Sequence, residues 1–147
     1  MAREPLNKPI QRSEPLTILD TDYASLWCHV AEGIVHHRIK RWQEKHGEEL
    51  QYLFQAGLDQ MRIHGCTGWL SDDQNFGRMQ PSTEAWAQTV WRPQMVEAGW
   101  KRWAIVLPER TISQLSLQRF AEEHRGVGIE VDVFGKSEDA FDWLCRS

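Results

Sequence analysis

From residue 46 onward the apolar residues change period again and again, and that alternation constrains the fold more than any other feature of the chain. Leu50, Leu53, Phe54, Gly57, Leu58 and Met61 recur at the three- and four-residue steps of an amphipathic helix. A strand-length apolar stretch, Cys66 to Asp72, follows directly. A second helical pattern from Ser82 to Ala98 then gives way to Trp103–Leu107, a continuous apolar run stopped by Pro108. Leu115, Phe120 and Ala121 mark a third helix over about 112–125, and Ile129, Val131 and Val133 alternate as a further strand. From Ser137, Ala140, Phe141 and Leu144 form the buried stripe of a last short helix. Strands that alternate with helices run parallel and are joined by right-handed crossovers, so the reading is α/β.

The N-terminal third reads differently. Leu16–Asp20 is an edge-strand candidate, and Tyr23–Val30 and Ile34–Lys40 read as an antiparallel hairpin. With Glu32 and Gly33 as the centre of a tight turn, Val30 pairs with Val35, Cys28 with His37 and Leu26 with Ile39. The opposite face then sets Trp27 against Arg38 and His29 against His36. This register collects the apolar residues on one face, whereas a one-residue slip would scatter them. The expected architecture is a mixed sheet with an N-terminal hairpin, then alternating helices and mainly parallel strands. Residues 1–15, with Pro5, Pro9 and Pro15, read as a flexible arm, and 16–147 as one domain.

Local chemistry sets the helix ends. Gly65 suits a left-handed C-terminal cap of the first helix. Ser82, after Pro81, reads as the N-cap of the second, with Glu84 at its positive end, and Pro93 predicts a kink or break within it. Ser137 reads as the cap of the last helix.

With that order in hand, several stretches resemble small bacterial STAS-like proteins, the class of sulphate-transporter and anti-sigma-factor-antagonist domains often grouped with SEC14-type folds. The resemblance is carried by Gly65-Cys66-Thr67-Gly68-Trp69-Leu70-Ser71-Asp72-Asp73, by Glu84-Ala85-Trp86 with Trp91 and Pro93, by Ala98-Gly99-Trp100, and by Ala104-Ile105-Val106-Leu107-Pro108-Glu109. It implies a STAS-like α/β domain acting in regulation. It also makes Ser82 the positional counterpart of the serine phosphorylated in anti-sigma-factor antagonists. The compact Asp-Ser-Ser-Gly motif of those proteins is absent, and the loop before Ser82 is longer.

Composition narrows the function classes. Seventeen basic against 21 acidic residues give a formal net charge of −4, so no basic excess argues for nucleic acid. Arg38, Lys40 and Arg41 beside Trp27 and Trp42 form a small basic-aromatic patch, which a solvated strand face explains. No apolar run approaches the roughly 20 residues of a membrane span, and the N-terminus has no signal-like apolar core, so a cytoplasmic protein is expected. Cys28, Cys66 and Cys145 have no CxxC spacing and read as reduced packing residues.

The candidate site follows from topology. Ligands in open α/β sheets favour the crevice beyond the carboxyl ends of the strands. That places Asp72, Asp73, Asn75, the Ser82 helix start and Glu109 together as ligand contacts. An adjacent acidic pair there favours a neutral or cationic group. No catalytic constellation is complete: GxSxG, GxxxxGK, GxGxxG and HExxH are all missing, and His29 with His36 makes only two of the three or four ligands a metal needs. No cofactor is implied. The residues favour a non-enzymatic protein-interaction or small-ligand module, its partner a protein or a small apolar or neutral molecule. A small hydrolase, or another enzyme using the acidic crevice, is the alternative. Of the eight tryptophans, Trp69, Trp103 and Trp143 read as core, while Trp27, Trp42, Trp86, Trp91 and Trp100 read as face or end positions. That surplus predicts a homodimer with at least one of Trp86, Trp91 and Trp100 in its contact.

Overall fold

The computed structural model describes residues 14–43, 46–115 and 117–146, apart from the side chains at positions 117, 118 and 120. The expected N-terminal arm therefore lies, except for Glu14 and Pro15, outside the described residues, as does the side chain of Phe120. Among the described residues six strands form one sheet whose spatial order follows the chain: β1 Leu16–Asp20, β2 Ala24–His29, β3 Ile34–Ile39, β4 Gly68–Asp72, β5 Arg102–Val106 and β6 Glu130–Phe134. The first three are antiparallel, and β3 through β6 are parallel. The expected α/β class and mixed sheet are thus what the chain adopts.

Every parallel step moves one place in the same direction along the sheet. Right-handed crossovers that always step the same way place their helices on one face. Here these are α1 (Gly47–His64), the long connection from α2 (Pro81–Trp86) to α3 (Arg92–Glu97), and, after the short α4 (Glu109–Ile112), α5 (Leu117–Arg125). The helix α6 (Ser137–Cys145) follows the last strand and covers the other face with Ala140, Phe141 and Leu144 against Ile34, Leu70, Ala104 and Val106. Arg102 fastens it: Nη1 donates to the Trp143 carbonyl at 2.7 Å and to that of Arg146, and the guanidinium lies 3.9 Å over the Trp143 ring. Trp143, expected in the core, is thus only partly buried under a cation.

The hairpin corrects the expected register by two residues. Cys28 pairs with Val35, Leu26 with His37 and Ala24 with Ile39. The turn takes four residues, Val30–Gly33, with Gly33 at φ 72° and its N–H donating to the His29 carbonyl at 2.9 Å. A slip of two preserves which face each side chain takes, because the strand period is two, so the hydrophobic pattern could not tell these registers apart. His29 lies opposite Ile34 and Trp27 opposite His36.

Several expected ends shift for local reasons. Gly65 closes α1 at φ 64° with its N–H on Met61, as read from sequence. Gln80, not Ser82, is the N-cap of α2. Pro81, whose missing N–H costs nothing in a first turn, starts the helix, and Ser82 sits exposed inside it. Lys136, not Ser137, occupies the cap of α6, because the Ser137 hydroxyl donates to Asp72 Oδ2 at 2.9 Å. The break expected near Pro93 takes the form of a π-helical stretch, Ala87–Trp91, between α2 and α3. A widened turn accommodates a proline that lacks an N–H and crowds the carbonyl four residues back.

Cys28 and Cys66, remote in sequence, meet in the core with Sγ atoms 3.7 Å apart. That contact pulls the Cys28 thiol down and pushes the Cys66 thiol up.

His29 and His36, weighed above as metal ligands, bond to each other instead: His29 Nε2 and His36 Nδ1 are 3.2 Å apart and the rings stack. Among the described residues no group of three metal-ligating side chains assembles. Burial holds His36 well below the usual histidine range, and the nearby Arg38 guanidinium acts in the same direction. The unfolded chain then binds a proton that the folded one refuses, so this contribution is present above about pH 6.5 and is lost on acidification. Denaturant midpoints measured between about pH 7.5 and 5 should fall, with His36 contributing up to about 1.4 kcal/mol per pH unit. His36→Phe should flatten that dependence; an unchanged slope would remove His36 as its source.

Candidate functional site

Strand alternation builds the site. On the helix-covered face, β3 presents His37, β4 presents Trp69 and Ser71 and, one step beyond its end, Asp73, while β5 presents Trp103 and Ile105. The roof is Phe54 of α1, the loop residues Phe76 and Met79, and Glu84, Ala87, Gln88, Trp91 and Arg92 of the broken helix, with Trp100 beyond it. Together they enclose a cavity of about 280 Å³, at the small end of the range for ligand pockets.

Its walls are interlocked rings. Trp91 stacks on Phe54 at 4.7 Å and meets Trp69 edge-on at 5.3 Å. Trp100 lies between Trp91 and Trp103, at 5.6 Å and 5.3 Å. The π-helical stretch shifts the angular phase of the helix immediately before Arg92, and its last residue, Trp91, is turned inward and buried. Trp91 and Trp100, expected at faces or ends, are 7% and 3% exposed. Of the three tryptophans assigned to a homodimer contact, Trp91 and Trp100 belong to this wall and Trp86 is half-buried.

Each indole of the wall donates inside the protein. Trp69 Nε1 donates to His37 Nδ1 at 2.9 Å, Trp103 Nε1 to Ser71 Oγ at 2.8 Å, Trp91 Nε1 to the Phe54 carbonyl at 2.8 Å and Trp100 Nε1 to the Arg102 carbonyl at 3.1 Å. An indole nitrogen only donates, so Nδ1 of His37 must accept. The ring hydrogen is then on Nε2, which donates to Asp73 Oδ1 at 2.8 Å. Both partners of the His37 ring are side chains. The Trp69–His37–Asp73 chain orients the carboxylate, whose Oδ2 has no protein partner among the described residues.

The wiring of His37 bears on nucleophilic chemistry at Ser71. A hydrolytic serine needs an imidazole nitrogen free to take its proton, with the other nitrogen on the acid. Ser71 and His37 are register neighbours on β4 and β3, but the nitrogen remote from Asp73 is filled by the Trp69 N–H. Residue availability at one sheet end does not make a triad.

The five residues grouped from sequence separate in space. Asp73 lines the cavity. Asp72, one residue earlier, faces the opposite side of the sheet, where its Oδ2 accepts from Arg38 Nε at 3.1 Å and from Ser137. Asn75, Ser82 and Glu109 are exposed and do not line the cavity. The basic-aromatic patch is internally engaged as well: Arg38 sits 5.5 Å over Trp27 and pairs with Asp72, and Lys40 pairs with Asp20. Sequence reasoning missed His37, Ser71, Glu84 and Arg92 as cavity residues. The available signal for the first two was the period of two, which joins positions 35, 37 and 39 on β3 and positions 69, 71 and 73 on β4, and excludes 72.

No family model matches the chain, and neither the curated proteins nor the solved structures contain a match to it.

Proposed function

We propose that this chain is a non-enzymatic, STAS-like regulatory module that binds a small, largely apolar molecule in the cavity between β3–β5 and the broken helix. The observation that carries the reading is the composition of the walls. Phe54, Trp69, Trp91, Trp100 and Trp103 supply an apolar lining, while Ser71, Asp73 and Arg92 offer a few polar atoms, the combination by which pockets hold and orient small ligands. Engagement of both His37 nitrogens argues against the hydrolase alternative. The STAS-like part of the proposal rests on the strand and helix order and on the sequence stretches quoted above.

Titration with phenethyl alcohol, a neutral ring of suitable size, tests the reading. Its addition should shift the indole N–H signals of Trp69, Trp91, Trp100 and Trp103 in NMR spectra, and Gln88→Trp, which fills the cavity mouth from an exposed position, should weaken binding about tenfold or more. Binding that ignores Gln88→Trp would place the site elsewhere. Turnover of an activated ester that disappears in Ser71→Ala would restore the hydrolase.

A further inference from the structure

We infer that the ligand of this cavity is an apolar amine, a molecule with one protonated nitrogen on a ring or hydrocarbon body, held with its ammonium group at Asp73. The inference rests on the binding reading above and goes on to name the chemical class. Three observations point the same way.

The first is what the walls can offer. With the N–H groups of Trp69, Trp91, Trp100 and Trp103 all donating to protein acceptors, the tryptophans have no hydrogen bond left for an anion. What remains is ring surface, and the negative face of an indole attracts a cation, most strongly where water is scarce.

The second is charge. The lining carries two carboxylates, Asp73 and Glu84, against one guanidinium, Arg92. Both ring nitrogens of His37 are engaged, Nδ1 by Trp69 and Nε2 by Asp73, so the ring offers an anion no free donor. The Ser71 hydroxyl accepts from Trp103 and keeps one hydrogen, a neutral donor that cannot offset the acidic excess.

The third is placement. Asp73 follows the carboxyl end of β4, and α2 begins at that same edge, since Gln80 and Thr83 pack against Gly47 at the start of α1. Glu84 in the first turn of α2 is therefore at the Asp73 end. Arg92 lies eight residues on, about 12 Å along the helix axis at 1.5 Å per residue. The acidic residues thus enter the aromatic chamber from one end, and the backbone of Arg92 lies toward the other. Asp73 lines the cavity with Oδ1 held by His37, which leaves Oδ2 to accept an ammonium hydrogen.

Three probes of one shape decide the matter: phenethylamine, phenethyl alcohol and hydrocinnamate, titrated into the intact protein near pH 7 with the four indole N–H signals as readout. The amine should bind about tenfold more tightly than the alcohol, and the acid more weakly than either. In Asp73→Asn, which keeps an acceptor for His37, the amine's advantage should shrink to within about threefold while the alcohol still binds. If the alcohol or the acid matches the amine in the wild-type protein, the amine assignment is overturned and the cavity reading stands. Retention of the full amine preference in Asp73→Asn would likewise remove Asp73 as its source and overturn the assignment. If no probe moves the four indole signals, both readings fall together.

Discussion

Trp69→Ala is expected to destabilise the fold by about 3–5 kcal/mol, the largest effect of any single substitution considered. Trp69 is 1% exposed at the junction of sheet, α1 and the broken helix, in edge-on contact with Phe54, His37 and Trp91. Removing the indole opens a void that these rings cannot collapse to fill, since each is held by its own hydrogen bond or stack. It also leaves His37 Nδ1 without its donor in a dry environment, which adds about 1–3 kcal/mol to the transfer cost if water cannot enter. Trp69→Phe separates the contributions. Most of the volume stays, so the loss should drop to about 1–3 kcal/mol, dominated by the orphaned nitrogen. Urea denaturation with an unchanged slope would measure both. A phenylalanine variant as stable as the wild type would show that His37 does not depend on Trp69 for its orientation.

The same residue shows how far the sequence can be read. The strand and helix order was legible because it is carried by hydrophobic period, and period survives without knowledge of partners: α6 and its stripe Ala140, Phe141 and Leu144 are buried as expected. The hairpin register was not, because a two-residue slip preserves every face and only the turn geometry around Gly33 decides it. The site was half legible. Asp73 at the sheet edge lines the cavity, whereas adjacency in sequence does not make Asp72 its partner, because strand alternation sends the two to opposite faces. Trp91 and Trp100 lay beyond reach for a different reason. Trp91 turns inward from a π-helical stretch that a regular helical period does not anticipate, and Trp100 packs from a connection that carries no period at all.

A substitution on the opposite wall of the same cluster sets two physical effects against each other. Gly57 lies within α1, where replacing glycine by alanine ordinarily stabilises a helix by up to about 1 kcal/mol. Here a β-carbon at Gly57 would fall 2.1 Å from the far edge of the Trp69 ring and 2.4 Å from the next ring atom, well inside van der Waals contact. That edge belongs to a rigid indole pinned by its bond to His37 and boxed by Phe54 and Trp91, so either α1 must move outward or Trp69 must leave its place. Overpacking of this kind typically costs about 1–3 kcal/mol and more where neighbours cannot yield. The collision therefore exceeds the gain in helix propensity, and Gly57→Ala should destabilise by a net of about 2 kcal/mol. The displacement has a second readout. A tilted Trp69 cannot keep its N–H on His37 Nδ1, so the Trp69 indole signal should move and binding of phenethyl alcohol should weaken along with stability. An alanine variant that is more stable than the wild type and leaves that signal in place would mean that α1 and the sheet stand farther apart than the 2.1 Å contact requires.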